Sequence, residues 1–251
     1  MQVSLAKDIA KNTLLARTPL GAWRRRRYVA AGYEPEKDDA GYVDGVYRKH
    51  KAAIEAVRPV AGADVLEIGP GGNTFVAERF LRDDARSATC IDHLPLAEPT
   101  GAVDYRVETL EDTELPAETF DIIYSQAVME HVQDPERCVR QLARLLRPGG
   151  VTSHQIDLRD HRGTDRPLEF LVHSDRAWRL AMSHRQFTNR WRRSDWVAAF
   201  EGAGFRIVEA RATERTEVSD AQRSSLHPRF AGKPLDDLAV IGVLLVAAKP
   251  S

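Results

Sequence analysis

Through residues 1–60 the apolar positions recur at helical spacing, with interruptions near Pro19-Leu20-Gly21 and Glu34-Pro35. Past Ala63 the rhythm changes, and short β-rich runs alternate with helical stretches. That alternation is how consecutive βαβ units and a parallel sheet read along a chain. The predicted strands are Asp64–Ile68, Ala88–Ile91, Val103–Val107, Phe120–Ser125, Val151–Ile156, Phe205–Ala210 and Leu238–Ala248. Between the fourth and fifth lies the clearest helix. Asp134 suits its N-cap and Pro135 its first position, and Gly149-Gly150 are expected to close it. Cys138, Val139, Leu142, Leu145 and Leu146 then share one apolar face.

Two connections are longer than packing requires, 157–193 after the fifth strand and 211–237 before the last, and both are expected to form lid or cap segments. No linker composition divides the chain. The expectation is one domain over 1–251, with 1–60 as a helical N-terminal extension.

Composition narrows the function classes. Thirty-six basic against 37 acidic residues leave a net charge of −1, a poor platform for tracking a phosphate backbone. Cys90 and Cys138 lie far apart without CxxC spacing, which argues against a disulfide scaffold and a thiolate metal site. The first residues lack the apolar core of a secretory signal, and the apolar run Leu238–Ala248 is well short of the roughly 20 residues that span a bilayer. A cytoplasmic protein without membrane or nucleic-acid partners is expected; homodimerisation is left open.

The most informative stretch is Val65-Leu66-Glu67-Ile68-Gly69-Pro70-Gly71-Gly72-Asn73, a buried strand entering a glycine-rich turn and then a helix. Glycines admit a ligand where a Cβ would clash, and a helix N-terminus offers unpaired N–H groups. The dinucleotide fingerprint G-x-G-x-x-G fails here, because its last position is Thr74. Asp92 ends the second strand about 20 residues on, where a carboxylate receives ribose hydroxyls.

With these residues the sequence resembles the class I S-adenosylmethionine-dependent methyltransferases, over about Asp64 to Val151. Glu67, Gly69 and Gly71 match the family's first motif, with Pro70 inside it, and Asp92, followed by His93, matches its ribose acid. Leu115–Ser125 looks like its LP…FD…S segment, Val128–Val132 like its LEHV element, and Leu145–Gly150 like its LLKPGG turn. The resemblance implies an α/β, Rossmann-like, doubly wound fold with a seven-stranded, mostly parallel sheet whose last strand is antiparallel. It also implies S-adenosylmethionine as cofactor, held by Glu67, Gly69, Pro70, Gly71, Asp92, His93, Thr109, Leu110 and Ser125. One departure stands out. The family's adenine-binding Asp after the third strand is replaced near Thr109, leaving the Leu110 N–H and either Glu108 or Glu111 for that task.

Methyl transfer from a sulfonium needs alignment, plus a base when the acceptor is a hydroxyl. His131 after the fourth strand, and His154 with Asp157 on the fifth, are the candidate catalytic residues. Strand alternation sends His154 and Ile156 to one face, Gln155 and Asp157 to the other. His154, Asp157, Asp160, His161 and His173 are dense in ligand types, but their spacing matches no metal motif and no metal is expected. The basic run Arg24–Arg27 reads as a solvated helix face. The segment after the fourth strand reads Tyr124-Ser125-Gln126-Ala127, without the Asn-Pro-Pro-Tyr of exocyclic-amine nucleic-acid enzymes. A small-molecule acceptor is therefore expected, and His131, His154 and Asp157 at the expected cleft favour a hydroxyl of sugar or natural-product type. The arginines of 157–193 (Arg159, Arg162, Arg166, Arg176, Arg179, Arg185, Arg190) suggest an anionic or sugar-linked one. The rival readings are a non-catalytic cofactor-binding protein and a nucleotide-dependent oxidoreductase.

Overall fold

The computed structural model describes residues 5–7, 9–10, 23, 39–98, 101–163, 165–182 and 187–251. Most of the expected N-terminal extension, Arg24–Arg27 included, lies outside the described residues, as does Arg185. Helix α1 (Ala40–Glu55) begins where the Asp39 carboxylate accepts the Tyr42 N–H at 3.0 Å. It buries Val43, Val46, Tyr47, His50 and Ile54, a stripe at helical spacing.

Strand β1 (Asp64–Ile68), helix α2 (Phe75–Arg82), β2 (Ser87–Asp92), β3 (Val103–Val107) and β4 (Phe120–Gln126) follow. A 3₁₀ turn (Met129–His131), helix α3 (Pro135–Leu145) and β5 (Leu146–Asp157) complete the parallel part. Beyond it lie a second 3₁₀ turn (Glu169–Val172), α4 (Asp175–Ala181), α5 (Arg193–Gly202) and β6 (Arg206–Arg215). Three short helices, α6 (Asp220–Ser225), α7 (Pro228–Ala231) and α8 (Leu235–Leu238), lead into β7 (Val240–Ala248).

The seven strands form one sheet in the order β3-β2-β1-β4-β5-β7-β6. β1 through β5 run parallel, and β7 is antiparallel to both of its neighbours. The expected doubly wound, mostly parallel architecture with an antiparallel last strand is therefore observed. Strand order reverses between β1 and β4, which opens a crevice at their carboxyl ends. One sheet face packs Leu66, Ile123, Ile156 and Leu245 against Leu142 of α3 and Trp196 and Phe200 of α5. The other packs Val65, Ile122, Tyr124 and Leu244 against Ile54 of α1 and Phe80 of α2.

Several boundaries differ from the sequence expectation, β5 among them, which starts at Leu146 rather than Val151. α3 ends at Leu145, not at the glycines, and Leu146 is already extended (ψ 139°). The following Pro148 has no N–H to continue a helix. Gly150 instead fits a tight approach, since a Cβ there would lie 2.8 Å from Leu146 Cδ2 and 2.9 Å from the Arg147 carbonyl. Residues 211–215 belong to β6 rather than to a cap, because Ala212 packs on the core between α5 and the sheet. β7 starts at Val240, as Leu235–Leu238 closes a helical turn first.

Candidate active site

A cavity of about 260 Å³ opens at the carboxyl ends of β1, β2 and β4. Its wall follows the glycine turn: Glu67, Gly69, Pro70 and Gly71 all line it. Gly69 (φ 66°) and Gly71 (φ 73°) occupy the left-handed region, where a side chain strains the backbone. A Cβ at Gly69 would also sit 2.5 Å from Cγ2 of Val128, itself a lining residue. The turn thus keeps its backbone bare to the cavity.

Asp92 ends β2 and is nearly buried. Its Oδ2 accepts the Gly71 N–H at 3.3 Å and its Oδ1 the Leu94 N–H at 3.1 Å. His93 Nδ1 lies 3.1 Å from the same Oδ1, and that bond raises the His93 pKa. The carboxylate is thereby pinned between the glycine turn and the loop after β2, with His93 at the cavity edge. Thr109 and Leu110 line the cavity too, and Ile91, Leu110 and Val132 give it an apolar slot suited to a flat ring.

Glu67 is buried beneath the turn. The Cys90 thiol donates to its Oε2 at 3.7 Å. Burial pushes the Glu67 carboxyl up to about 7, against the lowering effect of Tyr124, Cys90 and the Ala77 N–H.

Behind β4, His131 lines the cavity from the 3₁₀ turn. Its Nδ1 lies 2.7 Å from the Phe187 carbonyl oxygen. A carbonyl only accepts, so the proton sits on Nδ1 and Nε2 is the basic nitrogen. The ring meets His161 edge-on, centroids 5.0 Å apart, and His161 Nε2 is 3.4 Å from Asp157 Oδ2.

Three of the sequence-selected residues stand away from the cavity wall. His154 is fully buried on the α5 side of β5, with Nδ1 2.7 Å from the Ser125 hydroxyl and Nε2 2.5 Å from that of Thr152. Burial pushes its pKa down to about 3, so neither nitrogen is placed to receive a substrate proton. Ser125 is opposite His154 in register and spends its hydroxyl there. Asp157 is engaged by the Arg159 guanidinium at 2.7–3.1 Å. Against the upward push of burial, hydrogen bonds from His161 and Arg159 hold its carboxyl below the usual carboxylate range. Its link to His131 therefore runs through His161. Among the described residues no three His, Cys, Asp or Glu side chains gather as a metal cluster would.

Sequence reasoning overlooked Tyr42, Val43 and Val46 of α1, which line the cavity, and the 187–189 segment that holds His131. The stripe on α1 was a usable signal. A contact spanning 56 residues to Phe187 had none.

Fold and cavity define a Rossmann-like domain of the kind that holds a nucleoside-bearing cofactor at its switch point. The chain matches the family described as "Methyltransferase domain" over residues 40–210. It therefore belongs to the class I S-adenosylmethionine-dependent methyltransferase family. A "Ubiquinone biosynthesis O-methyltransferase" of Mesorhizobium japonicum is 36% identical over 38% of this chain and 41% of its own length. A Mycolicibacterium smegmatis protein named "Probable S-adenosylmethionine-dependent methyltransferase" is 28% identical over 78% of each chain. The chain thus spans less than half of the first of these. The crystal structure of the N-methyltransferase NodS from Bradyrhizobium japonicum, in complex with S-adenosylhomocysteine, is similar in fold. Its TM-score is 0.55 at 15% identity, over 90% of this chain and 96% of that one. S-adenosylmethionine is the cofactor of this family. The bare glycine turn, the pinned Asp92 and the apolar slot at Leu110 fit it. No described helix is long and apolar enough to cross a membrane.

Proposed function

We propose that the protein transfers a methyl group from S-adenosylmethionine to a hydroxyl oxygen of a small molecule, with His131 as the base. The observation that carries this reading is the His131–Phe187 bond, which leaves Nε2, 4.0 Å from Glu130 Oε1, as the basic nitrogen of a cavity-lining imidazole. Gly69, Pro70 and Gly71 would hold the cofactor's amino-acid portion through bare backbone, with Glu67 beneath them. Asp92 and His93 would take the ribose, and Thr109 and Leu110, which line the same cavity, would border the adenine. The bound cofactor supplies an electrophilic methyl on a sulfonium that departs as a neutral thioether. His131 Nε2 accepts the hydroxyl proton as the oxygen forms its bond to the methyl carbon. Ser125 and His154 keep a structural part, and Asp157 acts on His131 only through His161.

The printed activity of the Mesorhizobium relative, an O-methyltransferase, supports an oxygen acceptor. A net charge of −1 supports a small molecule over nucleic acid. The test is label transfer from methyl-labelled cofactor to a panel of phenols, sugars and amines. Ether products from the hydroxyl members support the reading, and label confined to amines contradicts it.

A further inference from the structure

The arginines that follow β5 suggest, on sequence, a cationic patch for an anionic acceptor, but the structure pairs four of them with acids of their own segment. Arg159 grips Asp157, Arg162 grips Asp160 at 2.7 Å, and Arg166 reaches Glu169 at 2.7 Å. Arg190 pairs with Asp175 and donates to the carbonyls of Phe170 and His173.

Lys49 differs. It stands on α1 one turn past Val46, which lines the cavity, and it is half-buried. Its Nζ donates at 2.6 Å to Oε1 of Gln126, the last residue of β4 and also a lining residue. A neutral amide is thus its partner, and the charge felt from the described residues is a second cation, Arg211. Arg211 itself is paired with Glu209 at 2.6 Å. A half-buried ammonium that meets no counter-charge among the described residues forfeits hydration that a ligand anion restores. Burial, and then Arg211, push the Lys49 ammonium down to about 8, as expected for such a site.

The surroundings continue outward from the cavity. Gln126 is opposite Gln155 in register, and Gln155 Nε2 donates to Thr213 Oγ1 of β6 at 2.9 Å. Neutral amides and a hydroxyl therefore run from the cavity over β4 and β5 and past β7 to β6, with Lys49 beside the first of them. Neither Lys49, Gln155 nor Thr213 lines the cofactor-sized cavity itself.

We propose that Lys49, presented through Gln126, is the subsite for a carboxylate carried by the methyl acceptor. This rests on the methyl-transfer reading, and it narrows the acceptor to hydroxylated acids. Calorimetry decides it with two matched pairs, 3,4-dihydroxybenzoate against catechol and glucuronate against glucose, titrated with and without S-adenosylhomocysteine. The wild type is expected to bind the acid of at least one pair about tenfold more tightly than its neutral partner. Lys49→Met should erase that gap and Lys49→Arg largely keep it, with S-adenosylhomocysteine affinity unchanged in both. No preference for an acid in either pair, or a gap that survives Lys49→Met, overturns the proposal. So does a Lys49→Met variant that loses S-adenosylhomocysteine while retaining methylthioadenosine, which would give Lys49 to the cofactor's own carboxylate. A wild type that never binds S-adenosylhomocysteine would sink the methyltransferase reading, while the titrations without it still decide the subsite.

Discussion

Asn189 clasps the turn that carries His131: its side-chain amide donates to the Met129 carbonyl at 2.7 Å and to that of Val132 at 3.2 Å. Its backbone N–H donates to the Glu130 carbonyl at 2.8 Å, and the carbonyl of Phe187, two residues earlier, holds the imidazole. The segment after β5 thus fixes both the loop and the ring. Asn189→Ala leaves two buried carbonyls short of a donor and should cost about 2 kcal/mol. Turnover should fall about tenfold or more through the loosened ring, with S-adenosylhomocysteine affinity nearly unchanged. Thermal melts and steady-state kinetics check this, and unchanged turnover in a destabilised variant would confine Asn189 to a folding role.

Glu67 makes stability depend on pH in a defined sense. Its folded pKa, about 7, lies above the ordinary carboxylate value, so between those values the folded state binds the extra proton. Its contribution is full below about pH 4 and is lost as pH rises toward 7. Glu67→Gln should remove that slope, so the variant gains on the wild type as pH rises from 5 to 7. Denaturant titrations across that range show it; parallel wild-type and variant curves would mean the carboxyl stays charged.

Gly69→Ala tests the bare turn. A Cβ there meets Val128 and must sit at φ 66°. A loss of about 1–2 kcal/mol in stability is expected from the backbone strain. A larger loss of S-adenosylhomocysteine affinity should accompany it as Val128 is pushed toward the cavity. Unchanged affinity by calorimetry would put the cofactor elsewhere.

The centre of the sheet was legible because parallel strands buried on both faces leave apolar runs, and β1 falls on the predicted residues; β3, a mostly exposed edge strand, does so as well. The glycine turn was legible because a positive φ at a close backbone approach demands glycine, and Asp92 because it ends the second strand beside that turn. His154 shows where the reading stopped. Alternation separates it from Gln155 correctly, but it does not say which face meets the cleft, and that depends on α5 covering the His154 side. The same ambiguity misplaced Ser125. Phe187 and Asn189 act on His131 across more than fifty residues, and no local pattern carries such a contact.

His154 yields the complementary prediction. Its replacement by Ala strands the Ser125 and Thr152 hydroxyls in the core and should cost on the order of 3 kcal/mol. Its depressed pKa adds stability that is present above about pH 6.5 and is lost as pH falls toward 3. Turnover per folded molecule should be close to wild type. A large kinetic loss in a protein of normal stability would return His154 to the chemistry.

The proposed steps call on no metal. EDTA should leave methyl transfer unchanged, since Asp157 is already engaged by Arg159 and His161. Activity lost to chelator and restored by Mg²⁺ would recast Asp157 as a ligand.

The most direct test of the account is the pH–rate profile of methyl transfer to a hydroxyl acceptor, for wild type and His131→Ala. The wild type should show an acidic limb as the base protonates. His131→Ala should lose that limb and about 10²–10⁴-fold in kcat, with cofactor affinity nearly unchanged. Near-normal turnover with the acidic limb intact in His131→Ala would contradict it.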